Sequence, residues 1–412
     1  MSFREGRVLM SPRAAVAVLA VGALVGLGAG CGSSDDNTSS TGASGGQSTA
    51  STGASSTTDG ATSTAGGENG VQYAQAQVDK LRQVPDFVAP GPPISDIGKV
   101  KGKKIFIIPN QSDVPLVTDV GKTMASLAER AGATATDCPN QGRPSQWAQC
   151  VDQAIAQKAD VIVLNFAPDP LLLQPQLAKA QKAGIPVVLT HLYDESDPLP
   201  PNVTAQVPAG FNRAARAEAD WIIADSGGKA NVLVIPAMEV HPSKGIVNSM
   251  KDEFAKHCPD CKMEVVNIPL VDAATKTQST IQSALVKDPT INYVVPIYDF
   301  AVQYAAPAVV AARAQDRVKI VSWNGTDFAL KMLADGKIDM DVGEAPDWLA
   351  WANMDQIFRV LAGDEPVEDE KTAQRIWDET NIAEAGDPPN TKTGYGDAYV
   401  TGYEKLWNLP SQ

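Results

Sequence analysis

Only three histidines, His191, His241 and His257, occur in 412 residues, so general acid–base chemistry near neutral pH has few candidates. No Gly-x-Ser-x-Gly elbow joins a strand to a helix. There is also no His-Glu-x-x-His pair and no phosphate-cradling glycine loop, so the common hydrolase, zinc-protease and nucleotide-site signatures are missing. Positive charge is scarce: 34 Lys and Arg face 48 Asp and Glu, for a net charge of -14. An acidic chain of this kind argues against nucleic acid or anionic lipid as partners. Outside the apolar stretch Ala14 to Leu27, itself too short to span a bilayer, no hydrophobic run reaches membrane-spanning length.

What is present begins with that stretch. Arg4, Arg7 and Arg13 precede it, Gly28, Ala29 and Gly30 follow it, and then comes Cys31, the layout of a secreted lipoprotein leader over residues 1–31. Cleavage before Cys31 would leave its sulfur to carry lipid and hold the chain at the outer face of the cytoplasmic membrane. Leu27 stands four residues before the cysteine where a lipobox has leucine at three, so an ordinary secretory cut with Cys31 a bystander is the alternative. Residues 32–70 are almost entirely Ser, Thr, Gly, Ala and Asp and cannot bury enough apolar area to order themselves. With a short helix over 71–83 and the prolines Pro90, Pro92 and Pro93, residues 32–102 read as a disordered tether and linker, and folded structure is expected from Lys103.

A hydrophobic content of 43% in so long a chain provides for two sizeable cores. From Lys104 onward, Val/Ile runs recur at the spacing of a strand plus a helix, starting near Lys104, Ala133, Asp160 and Pro186, then near Asn231, Lys262, Ile291 and Val318. Near-continuous apolar strands indicate parallel sheets covered on both faces. The fold class is therefore α/β, with two Rossmann-like parallel-sheet domains separated near Asp194 to Val207. Ligands of such sheets bind at the carboxyl edges, which places a site in the cleft between the halves.

Five cysteines divide as Cys31 plus two pairs, Cys138 with Cys150 and Cys258 with Cys261, which suit disulfides in an oxidising compartment. A redox reading of Cys258-Pro259-Asp260-Cys261 would need the start of a helix, whereas this motif closes one. A zinc site would need two more ligands, and only His257 is adjacent. No metal and no cofactor is expected.

Several local patterns carry a resemblance. They are Ala159 to Val163, Ala183-Gly184-Ile185-Pro186-Val187-Val188, Val318 to Thr326, Gly336-Lys337-Ile338 with Glu344-Ala345-Pro346, and the ending Gly402 to Trp407. In this order and spacing the chain resembles the type 1 periplasmic binding proteins for sugars, the ribose-binding-like solute receptors of ABC importers, over residues 100–412. The resemblance implies a clamshell whose two lobes, joined by a three-crossing hinge, close on a small solute and deliver it to an ABC permease, with no catalysis and as a monomer. It implies an N-terminal lobe of 103–208 plus 345–378 and a C-terminal lobe of 209–344 plus 379–412. Crossings are expected near Val207 to Phe211, Glu344 to Pro346 and Ile376 to Ile382.

Polyhydroxylated solutes require planar amides and carboxylates with fixed hydrogen-bond geometry, and an apolar face for their C–H side. Trp323, Asn324, Glu344 and Asp299 supply that inventory at strand ends. Asn324 stands where the family usually has Asp, and Glu344 where it usually has Gln. The Asn-Pro and paired aromatics that commonly follow the first strand are replaced by Val114 to Val117, and the usual Asp-Arg after the fourth by His191-Leu192. His191 is expected to touch ligand or to be a satisfied structural histidine; Phe166 or Tyr193 would replace the lost rings, and Asp113, Asn165 and Asp194 would add polar contacts. These departures point to a polyol, a modified sugar or a small cationic solute facing Asp299 and Glu344. A receptor presenting its liganded form to a membrane sensor is the alternative function, and a lipoprotein hydrolase a more distant one.

Overall fold

The apolar runs form parallel strands because each needs cover on both faces, and the intervening amphipathic helices supply it. The computed structural model describes residues 64–410 apart from Ala167; the leader, Cys31 and the tether up to residue 63 lie outside the described residues. Helix α1 (Thr64–Arg82) comes first. A sheet then follows from β1 (Lys104–Pro109), β2 (Thr134–Asp137), β3 (Val161–Asn165), β4 (Val187–Thr190) and β5 (Ala205–Val207), connected by α2 (Pro115–Arg130), α3 (Pro144–Ala156) and α4 (Gln174–Lys182). Its order is β2-β1-β3-β4-β5, parallel throughout.

The second series runs α5 (Phe211–Ser226), β6 (Asn231–Val234), α6 (Ser243–His257), β7 (Lys262–Val265), α7 (Ala273–Lys287), β8 (Tyr293–Val295) and α8 (Val302–Ala311). It continues through β9 (Lys319–Asn324), α9 (Asp327–Ala334), β10 (Met340–Glu344), α10 (Pro346–Ala362), β11 (Gln374–Asp378) and α11 (Ala398–Trp407). The sheet order is β11-β10-β9-β8-β6-β7, with β11 antiparallel to β10. Central strands such as β3 and β10 are buried at every position, while the edge strands β2 and β7 are mostly exposed. The stripe Val117, Val120, Met124 and Leu127 of α2 packs on the first sheet, the three-and-four spacing that makes a helix amphipathic.

Two expectations about lobe composition are corrected. β11 pairs with β10 in the second sheet, so residues 374–378 belong to the C-terminal lobe and not to the N-terminal one. Helix α11 belongs to the N-terminal lobe: Trp407 stacks on Trp351 of α10 at 4.9 Å, and Arg130 of α2 donates to Glu404 at 2.6 Å. Aromatic burial decides this placement, since Tyr403 and Trp407 are wholly inaccessible against α10. The chain therefore enters the second lobe at Pro208–Gly210 and leaves it at Ala345. It returns ahead of Gln374 and leaves finally between Tyr395 and Ala398, instead of crossing once at Ile376 to Ile382. The neighbouring passages are stitched together, Gln374 Nε2 donating to Gly210 O at 2.9 Å and Gln356 Nε2 to Gln206 O at 2.8 Å.

The expectation that folded structure begins at Lys103 is also corrected. Helix α1 buries Ala74 and Val78 against the second lobe, packing on α5 and α6, and Arg82 donates to Asp378 of β11 through Nε at 2.9 Å. The Pro-rich stretch then runs onto the first lobe. Phe87 meets Tyr403 edge-on at 5.0 Å, Ile94 N donates to Leu406 O at 2.8 Å, and Ser95 N donates to Asp364 at 2.8 Å. Residues 64–102 are thus a strap packed on both lobes, held by the burial of a few apolar side chains worth about 1.5–3 kcal/mol each.

Candidate functional site

Non-glycine residues with left-handed backbone sit just beyond the carboxyl ends of several strands. Phe166 follows β3 with φ 54°, His191 follows β4 with φ 57°, Ile297 follows β8 with φ 61°, and Asn324 ends β9 with φ 141°. Such conformations cost of order 1–3 kcal/mol each and gather where a fold must aim side chains. Next to Asn324, Gly325 lies so close to Gly343 that a Cβ on it would stand 2.6 Å from the Gly343 Cα. This backbone contact between the ends of β9 and β10 sets the side chains of Asn324 and Glu344 side by side.

At that junction His191 from the first lobe meets Glu344 from the second, with Nε2 and Oε2 2.7 Å apart and both side chains more than nine-tenths buried. A carboxylate only accepts, so the imidazole Nε2 carries the proton and donates. Asn324 Nδ2 donates to the other oxygen, Oε1, at 3.2 Å. Aromatic rings enclose the imidazole: Phe166 at 4.3 Å between centroids, Phe211 edge-on at 5.5 Å, and Trp323 at 6.1 Å with its plane only 12° away. The structure thereby brings together His191, Phe166, Trp323, Asn324 and Glu344 from the sequence-derived set, and adds Phe211, which stands on the first crossing and packs edge-on against Trp323 at 4.9 Å. Its position one residue after Gly210, at the hinge itself, was the available signal.

The remaining candidates lie elsewhere. Asp299 turns inward: its Oδ1 is bonded to Ser322 Oγ at 2.9 Å, and its Oδ2 accepts from Thr326 N at 2.7 Å. Ser322 Oγ is also 2.6 Å from Asp341 Oδ2, and one hydroxyl proton cannot serve two ionised carboxylates. Burial and the neighbouring Asp341 push the Asp299 carboxyl well above its ordinary range. It fills a structural role under β9 and does not join the cluster. Asp113 is exposed at the approach to α2, outside the cluster. Asn165 is fully buried, its Oδ1 accepting from Thr190 Oγ at 3.2 Å; its Nδ2, like Trp323 Nε1, has no hydrogen-bond partner among the described residues.

Tyr193 faces His241 of the second lobe at 4.1 Å, and His241 Nε2 lies 3.5 Å from Asp197 Oδ2. Asp194 accepts from Asn212 N at 2.8 Å across the same boundary. Asp194, Asp197, Asn212 and His241, with Phe211 and Lys244, line a cavity of about 280 Å³ between the lobes. Burial and the adjacent Asp194 push the Glu195 carboxyl up to about 7. No group of three or more His, Cys, Asp or Glu able to hold a metal occurs among the described residues, and no helix there is long and apolar enough to cross a membrane. The sulfurs of Cys138 and Cys150, and those of Cys258 and Cys261, stand at bonding distance, 2.03 Å in each pair.

Comparison with known proteins agrees with this architecture. The periplasmic binding protein domain family matches residues 105–365. An ABC sugar transporter subunit from Rhodobacter sphaeroides 2.4.1 superposes with a TM-score of 0.59 at 21% identity, covering 68% of this chain and 100% of its own. An ABC transporter solute-binding protein from Agrobacterium vitis with bound allitol gives 0.57 at 20% identity, covering 69% and 98%. A carbohydrate transporter protein from Acidothermus cellulolyticus in complex with myo-inositol gives 0.55 at 19%, covering 69% and 97%. At these identities the likeness establishes the fold alone, and among curated proteins none matches the sequence. The family match, over well more than half of the chain, and the two mostly parallel sheets lead to one assignment: this chain belongs to the periplasmic binding protein domain family.

Proposed function

We propose that this chain is the extracytoplasmic solute-binding component of an ABC importer, capturing a sugar or polyol between its lobes without chemical turnover. The observation that carries the reading is the His191–Glu344 contact, which joins the carboxyl edge of the first sheet to that of the second beside Trp323. Glu344 and Asn324 offer fixed acceptors and donors for hydroxyls, Trp323, Phe166 and Phe211 an apolar face, and Asn165 Nδ2 and Trp323 Nε1 further donors. The solutes bound by structural relatives, allitol and myo-inositol, are of the kind such a site accepts.

Around this site the rest of the chain supports delivery to a membrane permease. Cys31 carries lipid, and residues 32–63 tether the folded part to the membrane as a monomer. Both cysteine pairs are disulfides formed in an oxidising compartment. Titration calorimetry with D-arabinose, allitol, D-tagatose, myo-inositol, D-glucose and D-galactose tests the reading. Binding of at least one, with a raised melting temperature and no change in the recovered solute, is the expected result. Turnover of a bound probe, or no binding of any, speaks against it.

A further inference from the structure

Resting on the solute-binding reading above, we propose that His191 sets the charge class of the solute, so that the site takes neutral polyhydroxylated molecules and excludes their cationic amino counterparts. The surroundings of His191 are those of a cation site: a buried carboxylate, Glu344, with the rings of Phe166 and Trp323 around it. Carboxylate and ring faces are the two features that attract an ammonium group. Here the imidazole occupies that position, donating to Glu344 Oε2 at 2.7 Å and lying nearly parallel to Trp323. Asn324 takes Oε1. An incoming ammonium would have to displace the imidazole to reach the charge. A neutral hydroxyl need not, because each carboxylate oxygen keeps a second lone pair that accepts it with both protein bonds in place.

Asp299, the other acidic residue expected at a strand end beside the ligand, does not restore a cation site. It turns away from the cluster, its two oxygens bonded to Ser322 and Thr326, and burial beside Asp341 pushes its carboxyl well above the ordinary range. Of the acidic residues assigned to the ligand at strand ends, Glu344 alone faces the cluster, and His191 Nε2 already donates to it. His191 is held there by its left-handed backbone at φ 57° and by its amide N donating to Val207 O at 3.1 Å on the adjoining strand. In the resemblance described above, this position and the next commonly carry Asp-Arg, so the device belongs to this chain's own departure from the pattern.

The test compares wild type, His191→Ala and His191→Gln by titration calorimetry with paired probes, D-glucose against D-glucosamine and D-galactose against D-galactosamine, and with myo-inositol. Wild type is expected to prefer the neutral member by about 10- to 100-fold, the scale of an unanswered buried charge pair. His191→Ala is expected to lose that preference and gain affinity for the amino sugar, while His191→Gln, which keeps a donor, retains part of the discrimination. Equal or tighter binding of the amino sugars by wild type overturns the inference, as does unchanged discrimination in His191→Ala. A ligand-free measurement stands beside these: the imidazole resonances of His191 are expected to report a proton on Nε2 and to shift in Glu344→Gln. Resonances that do not respond to Glu344→Gln overturn the inference even where a neutral sugar binds. Failure of every neutral and amino probe to bind a chain in which the pair is intact overturns the solute-binding reading on which it rests.

Discussion

Tyr193 of the first lobe and His241 of the second face each other with ring centroids 4.1 Å apart and planes 35° from parallel. Neither residue touches the His191–Glu344 junction in the contacts described, yet their pairing requires the lobes to be together. His241→Ala therefore removes a contact of the closed form and little from either core. The expected effect is a loss of solute affinity of about 3- to 10-fold, the range of one aromatic pair, with an unchanged melting temperature for the ligand-free protein. Calorimetry and thermal unfolding on the same preparation check it.

Gly343 has no room for a side chain. A Cβ there would fall 2.3 Å from Tyr395 Oη and 2.6 Å from Trp377 Nε1. Gly343→Ala must push β10 away from both, and Glu344 moves with it. A destabilisation of about 1–3 kcal/mol is expected, as for other overpacked interiors, with a loss of binding larger than Gly336→Ala produces at a surface turn. Denaturant unfolding gives the first quantity and calorimetry the second.

Asp220 on α5 lies beneath α1, close to Glu253 of α6, and burial followed by the Glu253 charge pushes its carboxyl up to about 8. The folded state therefore holds a proton that the unfolded chain gives up near pH 4. Stability falls as pH rises from that unfolded value toward about 8, and levels off beyond it. Asp220→Asn removes this dependence. Its melting temperature is expected to exceed that of wild type by about 2 °C or more at pH 8, with a smaller gap at pH 5, read by thermal unfolding across that range.

Asp378 behaves in the opposite sense. Burial alone would raise its carboxyl, but hydrogen bonds from Thr380, Trp221 and Arg82 outweigh it and hold the group below its usual range. Its contribution is present above the unfolded value and is lost as pH falls through the lower folded one. Asp378→Asn is expected to cost about 1.5–3 kcal/mol at pH 7, the scale of hydrogen bonds to a charged group. Its effect fades in acid, and α1 becomes more open to proteolysis near Arg82. Limited digestion together with unfolding at pH 7 and in acid separates the two consequences.

Sheets and their edges were legible in the sequence because Val/Ile runs such as Val161 to Leu164 report their own burial. The docking of α1 was not: its buried face is carried by Ala74 and Val78 in a stretch rich in Gln and Gly, too weakly apolar to stand out beside a Ser/Thr/Gly tract. The exchange of β11 and α11 between lobes was not legible either: β11 follows its antiparallel pairing with β10, and α11 the Tyr403 and Trp407 rings, whose partners on α10 no local pattern reveals. The gathering of His191, Trp323, Asn324 and Glu344 into one cluster was legible because each stands at a strand end. Asp299 misled because it also ends a strand region, and only Ser322 and Asp341 beside it reveal that it points inward. Phe211 and His241 were missed because their contacts lie across the lobe boundary.

An experimental structure of the protein bound to whichever neutral sugar or polyol binds it most tightly tests the central claim most directly. The solute is expected between the lobes, with a hydroxyl on the Glu344 carboxylate, its C–H face on Trp323 or Phe166, and His191 still donating to Glu344. A solute held on an outer surface, or one bound in the cleft with His191 displaced and an ammonium on Glu344, would contradict it.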